Sequence, residues 1–151
     1  MKIAVFPGSF DPITTGHVNL IKRSLPLFDK IVVSIGVNSS KKTLFTLEQR
    51  MEWLESVFAD EPKIEIAHFT GLTVDFCKSI GAGYLIRGLR NSSDFDYEKT
   101  ISQLNSVLGD GLETFFLISK PGFSHISSTI VREIIKAGGD ASAFVPPQIK
   151  L

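Results

Sequence analysis

Three stretches of this chain gather side chains suited to phosphate-bearing ligands. The first is FPGSFDPITTGH, Phe6 to His17. It leaves a short apolar run through Pro7 and Gly8, turns again at Asp11-Pro12, and sets His17 where a helix should begin. Gly8 and Ser9 can bring backbone N–H groups close to an anion, because glycine has no side chain to hold a phosphate away. His17 falls in the expected first turn of a helix, where the dipole favours anions. An imidazole there can donate a hydrogen bond that strengthens as charge develops on a phosphate. Taken singly, the dipeptide also reads as a turn and the histidine as an exposed helix-start residue. The glycine turn and TTGH together are more specific than either part.

The second stretch is RGLR. Arg87 stands at an expected strand end, Gly88 relieves crowding, and Arg90 follows three residues on. Guanidinium forks grip phosphate oxygens in pairs. Both arginines also have Asp94, Asp96 and Glu98 close by as ion-pair partners, and the two roles are compatible. The third stretch is HISSTIVRE, in which Ser127, Ser128 and Thr129 crowd the start of the last helix. One hydroxyl suffices as a cap. Three hydroxyls with free N–H groups make a phosphate cradle, to which Arg132 adds charge. Lys41 and Lys42, after Asn38-Ser39-Ser40, are flexible point charges suited to phosphates, although each alone reads as part of a solvated loop.

Other chemistries lack their signatures. There is no G-x-x-x-x-G-K-[ST] loop and no G-x-G-x-x-G after the first strand. His17, His68 and His125 have no zinc-like spacing with Cys77, and no G-x-S-x-G elbow occurs. The formal net charge is zero over 151 residues, which disfavours a nonspecific nucleic-acid binder while leaving room for a local basic pocket. No apolar run approaches the length of a membrane span. The single cysteine, Cys77, forms no internal disulfide and reads as a small core side chain. With no signal peptide visible, the expected location is cytoplasmic.

The elements that must position these residues alternate. Strand-like runs cover 2–6, 30–37, 63–69, 84–88 and 113–119. Helix-like runs cover 17–25, 46–58, 72–82, 94–109 and 127–139. Thr46 with Gln49 fits a capping box, and Pro26 should end or kink the first helix. Such alternation predicts an α/β fold: one domain over 1–151, a five-stranded parallel sheet with helices on both faces. Ligands bind such sheets beyond the carboxyl ends of the strands, where all three stretches fall.

GSFDPITTGH resembles the T-x-G-H signature of the nucleotidylyltransferase superfamily, and HISSTIVR resembles its partner signature, I-S-S-[ST]-x-x-[RK]. With SKK, FTLEQR and LIRGLRNSSDFDYE in this order, the chain resembles the bacterial phosphopantetheine adenylyltransferases from Met1 to about Pro147. That resemblance implies a Rossmann-like domain that makes dephospho-coenzyme A and pyrophosphate from ATP and 4′-phosphopantetheine. It implies that His17 stabilises the transition state at the α-phosphate. ATP would be bound by Ser9, Phe10, His17, Gly88, Leu89, Arg90 and Glu98, and by Phe123, Ser124, His125, Ile126, Ser127, Ser128 and Thr129. The acceptor would be held by Ser9, Lys41, Thr73 and Arg87. It further implies Mg2+ with unassigned ligands, a homohexamer, and coenzyme A as a feedback inhibitor. Ser9 stands where threonine is common, keeping the hydroxyl; Thr73 is a variable position; His125 replaces an apolar or aromatic residue.

The chemistry agrees with that expectation. The acceptor is already an anion, so no strong general base and no covalent nucleophile are needed. The difficulty is to bring two anions together in line, which is a task of positioning and electrostatics. Two other readings remain: a relative that acts on nicotinamide mononucleotide or uses CTP, against which RGLR argues, and a noncatalytic nucleotide-binding module, against which His17 and both arginines argue.

Overall fold

The computed structural model describes residues 1–151. Ten main elements alternate along it: β1 (Ile3–Gly8), α1 (Thr15–Ser24), β2 (Lys30–Val37), α2 (Leu47–Val57), β3 (Ile64–Thr70), α3 (Thr73–Ile80), β4 (Tyr84–Leu89), α4 (Ser92–Leu108), β5 (Glu113–Ile118) and α5 (Ser128–Lys136). The strands form one sheet in the order β3-β2-β1-β4-β5. Every neighbouring pair is parallel.

Side chains alternate between the two faces of a strand, and both faces are buried. Ala4, Phe6, Ile31, Val33 and Ile86 point to one face and meet Leu20 and Ile21 of α1, Leu54 of α2 and Val131 of α5. Val5, Val32 and Leu85 point to the other and meet Val74 and Cys77 of α3. Burying side chains of this size contributes roughly 1.5–3 kcal/mol each. Cys77 is a core residue, as expected: it has no exposed surface, and burial pushes its thiol pKa up to about 11.

The element boundaries differ from expectation mainly at the site. β1 does not stop at Phe6, because its ladder with β2 carries Pro7 and Gly8 opposite Ser34 and Ile35. α1 begins two residues early, since Thr14 is its cap. The box expected at Thr46 is half formed: Thr46 Oγ1 accepts the Gln49 N–H at 3.1 Å, with no return bond. α1 stops at Ser24, and Pro26 lies in a 3-10 turn over Leu25–Leu27. Gly81 ends α3 with φ of 71°, the left-handed conformation that glycine adopts without strain.

Candidate active site

The site begins where two strands part. β1 matches β2 over six positions, Ile3 to Gly8, but matches β4 only at Ala4↔Tyr84 and Val5↔Leu85. The chain turns to opposite sides of the sheet after these two strands, so a crevice opens at their carboxyl ends. A cavity of about 340 Å³ lies there. Gly88 belongs to its wall, and a Cβ at that position would collide with Leu20 Cδ1, so a larger residue would have to displace that side chain.

The loop from Ser9 to Thr14 forms one side. Phe10 has φ of 46°, an uncommon conformation for a residue with a side chain. Its ring is only 2% exposed and packs edge-on against His17 with centroids 5.1 Å apart. Phe10 therefore braces the histidine. From α2, the buried Arg50 reaches across and donates Nη1 to the Ser9 carbonyl at 2.7 Å and Nε to the Thr46 carbonyl at 3.3 Å.

His17 is the third residue of α1 and completes a capping box with Thr14. Its backbone N–H donates to Thr14 Oγ1 at 3.3 Å, and Thr14 N–H donates to His17 Nδ1 at 3.0 Å. Nδ1 is thus an acceptor, so a neutral ring carries its proton on Nε2. Loss of water around the ring, then the nearby Arg87 and Arg90 cations, pull its pKa from 6.5 down to about 4. Near neutral pH, His17 is an uncharged hydrogen-bond donor held by its other nitrogen.

The arginines are paired, and the pairing is specific. Arg87 donates Nε and Nη2 to the two oxygens of Glu98 at 3.1 and 2.6 Å, and Nη1 to the Pro7 carbonyl at 2.9 Å. Asp94 Oδ2 accepts both the backbone N–H and Nε of Arg90, at 3.0 and 3.2 Å. Arg132 donates to the Asp11 carbonyl at 2.8 Å and to Thr129 Oγ1 at 3.2 Å. Lys41 forms no ion pair. Lys41, Arg87, Arg90 and Arg132 line the cavity against Asp94 and Glu98, an excess of two positive charges in a chain with no net charge.

The three hydroxyls of α5 divide their work. Ser127 caps the helix, accepting the Ile130 N–H at 3.2 Å. Ser128 Oγ donates to the Pro12 carbonyl at 2.7 Å, and Thr129 is tied to Arg132. The cradle at this helix start is therefore built chiefly of backbone N–H groups.

The cavity brings together Ser9, Phe10, His17, Lys41, Arg87, Gly88, Arg90, Glu98, Phe123, Ile126, Ser127, Ser128 and Thr129. Leu89, Ser124 and His125 do not line it, and His125 is exposed. Thr73 lines an adjoining cavity of about 280 Å³, which shares Pro7, Gly8, Arg87 and Glu98 with the first. Two spaces thus meet at the Arg87–Glu98 pair.

A family model described as cytidylyltransferase-like matches residues 5–134. A phosphopantetheine adenylyltransferase of Flavobacterium psychrophilum is 48% identical over 151 residues, covering 100% of this chain and 99% of that protein. One of Christiangramia forsetii is 49% identical over 150 residues, covering 99% of each. The chain belongs to the phosphopantetheine adenylyltransferase family. The fold agrees: a bifunctional NMN adenylyltransferase/ADP ribose pyrophosphatase from Francisella tularensis superposes with a TM-score of 0.69 at 18% identity, covering 95% of this chain and 44% of that one.

Three residues of this adenylyltransferase-family site lie in the stretches that carry the resemblance but had no role of their own there: Thr14 and Gly16 of T-x-G-H, and Arg50 of FTLEQR. Thr14 and Gly16 line the cavity beside His17. Arg50 does not line it, but holds the Ser9 carbonyl. Thr14 was legible in principle, since a threonine three residues before a helix-start side chain able to reach back is a capping signal. Arg50 gave no local signal, because its partner lies 41 residues away. No helix is long and apolar enough to cross a membrane.

Proposed function

We propose that this chain transfers the adenylyl group of ATP to 4′-phosphopantetheine, giving dephospho-coenzyme A and pyrophosphate. The observation that carries the reading is the meeting of two cavities at Arg87 and Glu98, with His17 and an excess of cations in the larger one. It is supported by the names of the relatives, which span the full chain.

In this reading the nucleotide occupies the larger cavity, with its phosphates on Arg90, Arg132 and the N–H groups at the start of α5. The acceptor's arm runs past Thr73 in the smaller cavity, and its phosphate meets Arg87 and Lys41. An acceptor phosphate oxygen forms a bond to the α-phosphorus, the bond from that phosphorus to the bridging oxygen of the β-phosphate breaks, and pyrophosphate leaves with the electron pair. His17 donates Nε2–H to an α-phosphate oxygen and gains strength as charge accumulates there. The tethers already present on Arg87, Arg90 and His17 mean that little reorganisation accompanies the step. No group of three or more His, Cys, Asp or Glu side chains could hold a metal ion. In this reading Mg2+ would bind together with the nucleotide phosphates and offset part of their charge.

The same reading places the enzyme in the cytoplasm and has coenzyme A compete as a product-like inhibitor. It also assembles the chain into a homohexamer. Exposed Leu104, Val107 and Leu108 on α4 and Ile118 on the edge strand support a self-association face. The test is pyrophosphate release with ATP, Mg2+ and 4′-phosphopantetheine. Acceptor-dependent release is expected. Release with nicotinamide mononucleotide alone, or none with any acceptor while ATP binds, would overturn the reading.

A further inference from the structure

We infer that Asp11 is a positioning residue that sets Lys41, acting from within the first loop without touching substrate. The inference rests on the acceptor role proposed for Lys41. Asp11 is 3% exposed and does not line the cavity. Its two carboxylate oxygens accept the N–H groups of Leu44 and Phe45, each at 2.9 Å. The other end of the Lys41 turn is fixed at the exit of β2. Asn38 Oδ1 accepts the Ser40 N–H at 3.0 Å, and the Lys41 N–H donates to the Asn38 carbonyl at 3.1 Å. Lys41 is exposed and has no carboxylate of its own. Lys41 thus stands between an anchor at Asn38 and one at Leu44 and Phe45, where the Phe45 ring also packs on Trp53 of α2; Asp11 is the side chain by which the first loop holds this second anchor.

The other links of this turn run through backbone atoms. Arg132 Nη1 donates to the Asp11 carbonyl, Ser128 Oγ to the Pro12 carbonyl, and Arg50 Nη1 to the Ser9 carbonyl. Removing the Asp11 side chain leaves all three in place. Beyond the two N–H bonds, it costs the longer approach of Arg132 to Oδ2, at 3.8 Å, and the negative charge near the buried Arg50. The loss therefore falls on the acceptor loop and spares most of the nucleotide side. A group that merely held the fold together would weaken both sides alike.

The test compares Asp11→Ala, Asp11→Asn, Lys41→Ala and the Asp11→Ala/Lys41→Ala double variant in the pyrophosphate assay. The expected result for Asp11→Ala is a rise in acceptor KM of about tenfold, with ATP KM changed less than about threefold. In the Lys41→Ala background the same substitution should add less than about twofold, because residues acting as a unit are not additive. Asp11→Asn keeps one acceptor oxygen and should give an intermediate rise; it carries the test if the alanine variant misfolds. Amide hydrogen exchange on the free protein gives a readout independent of substrate. Leu44 and Phe45 should lose protection in the variants while β1 and α1 keep theirs. Equal rises in both KM values, full additivity with Lys41→Ala, or unchanged exchange at Leu44 and Phe45 would each overturn the inference. If the unaltered enzyme releases no pyrophosphate, the proposed function fails; the exchange result then still decides whether Asp11 holds the loop.

Discussion

The cations around the larger cavity are of two kinds. Arg87, Arg90 and Arg132 are tied to carboxylates, carbonyls or hydroxyls before any ligand arrives. Lys41 is tied only through its backbone, on an exposed turn. The tethered groups have already lost most of their rotamer freedom, so they can meet a phosphate without a further ordering cost. Lysine keeps its freedom and can follow a ligand that moves. In the proposed reading the acceptor phosphate meets one cation of each kind, the rigid Arg87 and the compliant Lys41.

Substitutions can break or sharpen this contrast. The largest effect belongs to His17, whose proton is placed by Thr14. His17→Ala should lower kcat by about 10²–10³, the range for losing one preorganised donor to a developing oxyanion. ATP affinity should hardly change, since the contact strengthens in the transition state. Equal losses in ATP dissociation constant and rate, from titration and steady-state kinetics, would remove the histidine from that role.

Arg87→Ala comes next. It removes a cation and leaves Glu98 buried without its partner, so acceptor KM should rise by about a hundredfold. An unchanged acceptor KM would show that the pair is only structural. Lys41→Ala should raise acceptor KM less, by about tenfold, and the rise should shrink at high ionic strength because the lysine is exposed. If Lys41→Ala proved as damaging as Arg87→Ala, tethering would not be what separates the two kinds of cation.

The smallest effect concerns stability. The His17 pKa falls from 6.5 in the unfolded chain to about 4 in the fold. Between those values the unfolded chain binds more protons, so this histidine's share of stability is whole above pH 6.5 and is lost as pH falls toward about 4. Denaturant melts of His17→Ala over that range should show a shallower acid loss than the unaltered protein. Parallel curves would mean that the ring is not kept neutral by its surroundings.

Much of this arrangement was legible in the sequence, for reasons that vary by residue. β2 ran over Lys30–Val37 as expected, because a β-branched run buried on both faces leaves little ambiguity. The five arginine, serine and threonine positions of RGLR and HISST fell at strand and helix ends because those elements were strongly patterned. The start of α1 was placed late because a histidine at the third helical position does not look like a capping residue. The carboxylates near RGLR were visible as partners, but which one served which arginine depended on the turn into α4. Glu98 reaches Arg87 from 11 residues away, and Asp94 reaches Arg90 from 4. The bonds of Asp11 to Leu44 and Phe45, 33 and 34 residues apart, left no local trace at all.

The parting of β1 from β4 has a consequence for how the molecule comes into being. Pro7 and Arg87, which face each other across the opening, are 80 residues apart in the chain. During synthesis, the histidine and the first loop emerge and can pair with β2 long before their opposite wall exists. The second wall arrives only after the chain has crossed through α3 to the other flank of β1. Turnover by this protein is thus a report on completed assembly: a chain stalled or cut before β4 would hold half a site, with one edge of its central strand bare and ready to pair with the wrong neighbour.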